Sequence, residues 1–108
     1  MQNKFWTSFK DFIIPLYQHC EYCIDKEINQ YKDISIAEIY KSHLFVLDKC
    51  ANVNLYDKES AIKYIKKIKA EEIKISDDIN DKKKFKKNYI DYCDELLKKI
   101  ENYSFEQD

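Results

Sequence analysis

The stretch QHCEYC at residues 18–23 contains the residues of this chain best suited to chemistry. Cys20 and Cys23 form a Cys-x-x-Cys pair, and His19 directly precedes it. Zinc requires four ligands in a tetrahedron, usually supplied as two close pairs. The chain has no second close pair, so distant cysteines and a histidine would have to complete the site. Cys20 and Cys23 are therefore candidate ligands with an incomplete partner set, and we predict no metal site.

A structural interpretation accounts for the cysteines better. Cys20 lies near the centre of an apolar stripe with helical spacing, and Cys23 lies about 60° from it at 100° per residue. Cys50 and Cys93 fall on later stripes. Free cysteine is among the most buried residue types, so we predict four buried thiols. His43 also lies on an apolar stripe and is interpreted as a hydrogen-bonded core residue. A thioredoxin-like redox pair would require a preceding strand, which the sequence lacks.

No pattern in the chain predicts catalysis. Di-iron bundles use a glutamate three residues before each histidine, whereas Leu16 and Tyr40 occupy those positions. Asp91, Asp94 and Glu95 could act as general acids or bases, but they fall on the polar side of a predicted helix and are interpreted as a solvated face. We therefore predict a non-enzymatic protein without a cofactor.

Composition narrows the class of protein further. The 108 residues suffice for one domain, predicted to span 1–108, and 44% of them are hydrophobic. The chain has no glycine, which excludes the glycine-rich loops that cradle phosphates. The N-terminal apolar residues are interrupted by lysines and an aspartate, so we predict neither a signal peptide nor a membrane contact. A cytoplasmic protein with reduced thiols is the resulting expectation.

Apolar residues recur at helical spacing almost throughout and predict an all-α fold. We expect a small antiparallel bundle of four helices, at about 4–30, 36–52, 58–75 and 78–104. The single proline, Pro15, either kinks the first helix or marks the start of a new one. The third and fourth helices could also be continuous, and the residues after 103 are expected to fray.

Capping residues support the predicted boundaries. Ser35 followed by Glu38 has the spacing of a capping box at the start of the second helix. Asp57 is the predicted N-cap of the third helix, and a break is predicted near Ser76. Because there is no glycine, Asn52 is the expected substitute in the loop after the second helix.

Lysines are concentrated in one part of the chain. Residues 63–87 contain ten lysines and five acidic residues, whereas residues 88–108 contain two lysines and six acidic residues. A basic region of this kind can bind phosphates, although the absence of arginine argues against base-specific contacts. The candidate nucleic-acid contacts are Lys66, Lys67, Lys69, Lys82, Lys83, Lys84, Lys86 and Lys87.

Three apolar residues are not explained by a bundle core. Trp6 belongs to an unusually wide apolar arc on the first helix, Ile14 lies outside that arc, and Phe45 projects roughly opposite the stripe of the second helix. Exposed aromatic and aliphatic side chains are typical of interfaces. We therefore expect them to anchor a partner protein or a second copy of the chain.

The favoured hypothesis is stoichiometric protein–protein binding by an inhibitor, an immunity protein or an accessory subunit. A nucleic-acid-binding accessory protein that uses the lysine-rich region 63–87 is the alternative. A zinc-stabilised helical domain and an enzyme rank third and fourth.

Overall fold

The computed structural model describes residues 3–107 and has the predicted all-α architecture. Its four helices are α1 (Lys4–Asn29), α2 (Ile34–Ala51), α3 (Lys58–Ala70) and α4 (Lys82–Glu101). The predicted bounds of α1 and α2 are confirmed to within two residues. The predicted domain, 1–108, includes three residues that lie outside the described part: Met1, Gln2 and Asp108. Within residues 3–107, no helix combines the length and apolar character needed to cross a membrane.

Helices α1 and α2 form an antiparallel hairpin. Ile13, in the first half of α1, shares a groove with Ala51 at the end of α2. His19, farther along α1, contacts Tyr40 near the start of α2. The turn between them contains Lys32 with φ 56°, a left-handed conformation that costs a non-glycine residue roughly 1–2 kcal/mol.

Contacts at one end of the bundle give the direction of α4. Tyr103, just past the end of α4, packs against Phe12 near the start of α1. The Nζ atom of Lys58, the first residue of α3, donates to the Tyr103 carbonyl oxygen at 3.0 Å. Helix α4 therefore ends where α1 and α3 begin and is antiparallel to both. The helices follow the predicted up-down-up-down order, with α2 and α4 pointing the same way.

Helices α2 and α4 occupy the two interior positions, because α2 packs against α1 and α4 while α4 packs against α2 and α3. The core contains fully buried side chains from all four helices, among them Phe5, Phe9, Leu47, Cys50, Ile65, Ile68, Tyr89, Cys93, Leu96 and Ile100. Burial of these side chains supplies the main driving force for the fold.

The predicted capping box of α2 is wrong. Asp33 caps this helix by accepting from the Ile36 amide at 3.1 Å, and the Ser35 hydroxyl only donates to the Asp33 carboxylate. Glu38 is instead buried, with 7% of its surface exposed. Its two carboxylate oxygens accept the backbone N–H groups of Asn80 and Asp81 at 2.8 and 3.3 Å. Glu38 thus joins α2 to the loop that precedes α4.

Helices α3 and α4 are separate, and both are shorter than predicted. Asp57 caps α3 as predicted, but the helix ends at Ala70 instead of residue 75. The Tyr89 hydroxyl donates to the Ile68 carbonyl oxygen at 2.5 Å, which satisfies one of the carbonyls at the helix end. An irregular loop, 71–81, follows. Helix α4 then begins at residue 82, capped by Asp81, instead of residue 78 near the predicted break.

The C-terminal segment is ordered against α1, so the prediction of fraying is wrong for the described residues. Helix α4 ends at Glu101 instead of residue 104. The chain then returns to α1, where the Phe105 ring lies 5.2 Å from Phe5 and 5.3 Å from Phe12. The Glu106 amide also donates to the Ser8 hydroxyl at 3.2 Å. Phe105 completes an aromatic cluster that the helices alone leave open.

One of the two alternatives for Pro15 is excluded, and the prediction for Asn52 is wrong. Helix α1 runs continuously through Pro15, so no new helix starts there. Pro15 is exposed, which lets water satisfy the carbonyl that lacks its N–H partner. Asn52 has φ −106° and does not replace glycine. The left-handed position is Lys32, in the turn between α1 and α2.

Candidate protein-binding surface

The QHCEYC motif, residues 18–23, lies beside a small pocket between α1, α2 and α4. This histidine pocket has a volume of about 240 Å³, and its lining includes His19, Cys20, Tyr40, His43, Tyr92 and Glu95. The His43 ring stacks on Tyr92, with ring centroids 4.1 Å apart and planes 13° from parallel. Burial lowers the pKa of His43, and the Glu95 carboxylate partly opposes this effect. His43 is therefore a packed, predominantly neutral ring near neutral pH.

Three of the four thiols are buried, as predicted. Burial, the largest influence, raises the pKa of Cys20 to about 11 and that of Cys50 and Cys93 to about 12. Thiols with such values carry almost no thiolate at neutral pH and are poor nucleophiles. Cys23 departs from the prediction because it is only half-buried. It contacts His19, which is part of the pocket lining.

Cys23 and His19 form the one close cysteine–histidine pair that the motif produces. The Cys23 Sγ atom is 3.5 Å from His19 Nε2, one helical turn away. Within residues 3–107, no group of three or more His, Cys, Asp and Glu side chains is arranged to hold a metal ion. The candidate ligands Cys20 and Cys23 thus lack the further donors that a zinc site needs.

The acidic cluster of α4 is divided among separate neighbours. The Asp94 carboxylate is 2.6 Å from Lys69 Nζ, whereas Asp91 is 3.7 Å from Lys87 Nζ. Glu95 turns toward the histidine pocket. Since the three carboxylates do not converge, this arrangement offers no acid–base pair.

The opposite face of α2 is open and forms the floor of a trough. Three adjoining depressions have volumes of about 370, 290 and 400 Å³. The first and second have Tyr17 and Asp48 in common, and the second and third have Lys41 and Phe45 in common. The apolar lining consists of Ile14 and Tyr17 from α1, Leu44 and Phe45 from α2, Ile79 from the 71–81 loop, and Phe85 from α4. We call this surface the α2 trough. It runs along α2, bordered by α1 in its first two depressions and by the loop and α4 in the third.

Two of the three predicted interface residues lie in the trough, in neighbouring depressions. Ile14, which is 48% exposed, lies at one end, and Phe45 lies on the floor. The prediction that Phe45 projects away from the core needs correction. Its ring is half-buried and lies 6.0 Å from Phe85 and 5.7 Å from Tyr89. One edge of the ring packs against the core, and the other edge lines the trough.

Trp6 is not part of the trough. It is half-buried near the start of α1, where it stacks with Phe9 at 6.2 Å and carries Lys10 Nζ 5.5 Å from its ring. Its side chain packs mainly against the aromatic cluster of the core.

Charged groups are distributed unevenly along the trough. Glu21 and Asp48 lie at the end near Ile14. Burial and the neighbouring carboxylates of Asp48 and Glu21 raise the pKa of Tyr17, so both acids act on its hydroxyl. Lys41 and Lys74 line the other end. The trough therefore has an acidic pole and a basic pole.

Within residues 3–107, the four charges that define these poles form no ion pairs, although a hydrogen bond from Ser76 and, to a lesser extent, the charge of Lys41 lower the pKa of the nearby Asp78 carboxylate. The ion pairs within residues 3–107 join Lys49 to Glu71, Lys69 to Asp94, Lys82 to Asp77 and Lys87 to Asp91. None of these pairs includes a side chain of the two poles. Their charges remain available to a partner.

The predicted nucleic-acid contacts fall into two groups on α3 and α4. Lys82 and Lys87 are paired with carboxylates on or near α4, and Lys69 is paired with Asp94. Of the candidate lysines on α4, Lys83, Lys84 and Lys86 are exposed and without ion pairs in the described part of the chain, as are Lys66 and Lys67 on α3. The basic region is thus partly neutralised by its own acids.

Several trough residues were not predicted as functional from the sequence. On α2 a signal was present, since Lys41, Leu44, Phe45 and Asp48 follow the i, i+3, i+4, i+7 spacing of a second helix face. For Ile79 in the 71–81 loop there was no signal, because its placement depends on the Glu38 hydrogen bonds.

No protein-family model matches the chain, and neither a curated protein nor a solved structure is significantly similar to it. The functional inference therefore rests on the geometry of the α2 trough and its charges.

Proposed function

We propose that this protein is a non-enzymatic helical bundle that acts by binding another protein stoichiometrically through the α2 trough. The observation that carries the proposal is that Ile14 and Phe45, from different helices, line adjoining depressions that have Tyr17 and Asp48 in common and are bordered by charged side chains. Interfaces typically combine an apolar centre with a charged rim that directs association. An inhibitor, an immunity protein or an accessory subunit would act in this way.

The anchors and the rim have separate roles in this mechanism. Ile14 and Phe45 would lose water-exposed apolar surface on binding, which stabilises the complex by about 25 cal/mol per Å² buried. The carboxylates of Glu21 and Asp48 and the lysines of the opposite pole would accelerate association with a partner of complementary charge.

A matched pair of variants tests the proposal. The protein is used to capture partners from a lysate of its source cells, with nuclease and at low and high salt. We expect one protein to be retained at a 1:1 ratio by the wild type and by Ile34→Asp, and to be lost from Ile14→Asp. Ile34 is a suitable control because its side chain is 44% exposed, close to the 48% of Ile14, and it does not line the trough. Equal capture by both variants would overturn the proposal.

Nucleic acid is the alternative ligand, supported by the exposed, unpaired lysines 83, 84 and 86 on one turn of α4. If it is correct, nuclease or high salt removes the captured material. Lys83→Glu and Lys84→Glu then abolish binding, whereas Ile14→Asp has no effect.

A further inference from the structure

The shape of the α2 trough restricts what can occupy it. Its floor is a single line of α2 side chains, from Lys41 through Phe45 and Asp48 to Asn52. The helical part of this line, residues 41–51, corresponds to about 16 Å at 1.5 Å per residue. The trough thus follows the α2 axis, and α1 residues border its first two depressions while residues of the 71–81 loop border the third. About three turns of a second helix have the same length.

Hydrogen bonding favours a helix over an extended segment. The described residues contain no strand, so the trough offers no sheet edge to which a strand could be added. Its floor and its α1 wall are helical faces, whose backbone groups already bond within their own helices. An extended segment buried there would leave its own N–H and C=O groups unsatisfied. A helix satisfies these groups internally and presents only side chains.

The charges along the trough give that helix a direction. The acidic pole, Glu21 and Asp48, lies beside the C-terminal end of α2, where unpaired carbonyls add partial negative charge. The basic pole has Lys41 and Lys74, and Asp78 offsets part of its charge. A bound helix is favoured when its positive N-terminus faces the acidic pole and its negative C-terminus faces the basic pole.

We propose that the occupant of the α2 trough is one amphipathic helix of about three turns, antiparallel to α2, with basic residues in its N-terminal half and acidic residues in its C-terminal half. This inference rests on the proposed function and specifies its partner. The apolar stripe of the helix would contact Ile14, Tyr17, Leu44 and Phe45. Two troughs of separate copies are not expected to pair with each other, because each is a depression and neither supplies a convex surface that would fill the other.

Three designed peptides of about 14 residues provide the test, each long enough for three turns and free ends. Two are stapled helices of identical composition and the same apolar stripe. One has lysines in its N-terminal half and glutamates in its C-terminal half, and the other has these charges exchanged. The third has the first sequence with a central proline and no staple, which prevents a continuous helix. Binding to the full chain is measured by fluorescence anisotropy at low and high salt.

We expect the lysine-first helix to bind about tenfold more tightly than the charge-exchanged helix at low salt, and the difference to shrink at high salt. The double variant Lys41→Glu, Asp48→Lys should reverse the preference. Ile14→Asp should weaken both helices, while Ile34→Asp, the matched control, should weaken neither. Circular dichroism of each variant establishes that it is folded.

Equal affinity for the two helices would overturn the proposed direction, and binding of the proline peptide as tightly as the first would overturn the helix. Absence of binding by all three peptides would also overturn the inference. If Ile14→Asp nevertheless releases the natural partner, protein binding through the trough stands and only the helical occupant is wrong. If Ile14→Asp retains that partner, the proposed function itself fails.

Discussion

The histidine pocket and the α2 trough lie on different faces of α2 and use opposite kinds of residue. The pocket contains histidine and cysteine, which suggest chemistry, but their side chains are mostly stacked or buried. The trough contains isoleucine, leucine and phenylalanine, which suggest a core, but part of their surface is open. Residue type alone would suggest chemistry on the closed face and packing on the open one, whereas helical spacing predicted buried thiols and placed Ile14 outside the core. Burial decides which side chains are available to a ligand.

The largest expected effect comes from comparing the two faces of α2 directly. Leu47 is fully buried, whereas Leu44, one turn earlier, is only half-buried in the trough floor. We expect Leu47→Ala to lower the free energy of unfolding by about 3 kcal/mol and Leu44→Ala by about 1 kcal/mol. Urea denaturation followed by circular dichroism measures both. Equal losses would contradict the description of the trough as an open surface.

A smaller effect is expected at the connection between α2 and the loop wall of the trough. Glu38→Ala removes the acceptors of two backbone N–H groups, at Asn80 and Asp81, and should cost about 2 kcal/mol. Hydrogen exchange of these two amides should accelerate in the variant. Ser35→Ala is the control and should change stability by less than about 0.5 kcal/mol, since the Ser35 hydroxyl bonds only to the exposed N-cap. A larger loss of stability from Ser35→Ala would support the capping box that was predicted for α2.

The histidine pocket should make stability depend on pH. Burial lowers the pKa of His43 in the folded state, and its value in the unfolded chain is about 6.5. Below that pH the unfolded chain binds a proton that the folded chain resists, so the free energy of unfolding should fall as the pH decreases from about 7 to 5. Denaturation at several pH values should give a flatter profile for His43→Gln. An unchanged slope in His43→Gln would contradict the prediction.

The smallest effect on the fold is expected from labelling the thiols. Cys23, next to His19, should react rapidly with a disulfide reagent, because it is the one thiol that is not buried. Cys20, Cys50 and Cys93 should react only when the protein opens, since their raised pKa values leave little thiolate. The absorbance of the released reagent gives the number of thiols that react in the fast phase. It should be one per molecule in the wild type and none in Cys23→Ser. Two or more fast equivalents would indicate an open pocket.

The number and order of the helices could be predicted because they depend on local signals. Apolar periodicity located all four helices, and the Asp57 cap placed the start of α3. The predicted end of α3 and the predicted start of α4 were wrong, because both boundaries depend on groups that are distant in sequence. Tyr89 binds the carbonyl near the end of α3, and Glu38 holds the residues before α4. Neither contact has a signature in the neighbouring sequence.

The candidate surface could be predicted only where local spacing is sufficient. The spacing of apolar residues within α1 places Ile14 outside the apolar stripe of that helix. Phe45 was judged against the stripe of α2 alone, yet α2 has neighbours on two sides, and α4 covers one edge of the ring. A periodicity argument assumes one buried face per helix, and a central helix violates that assumption.

The sequence by itself determined a glycine-free, all-α chain with enough apolar residues for a core and no complete set of zinc ligands in one local motif. Such properties follow from composition and from spacings within a few residues. Tertiary structure alone decided that α2 and α4 occupy the interior positions, that Cys23 is the accessible thiol, and that Ile14, Phe45 and Ile79 border one trough. These properties require residues far apart in the chain to meet, because burial and charge pairing depend on neighbours in space.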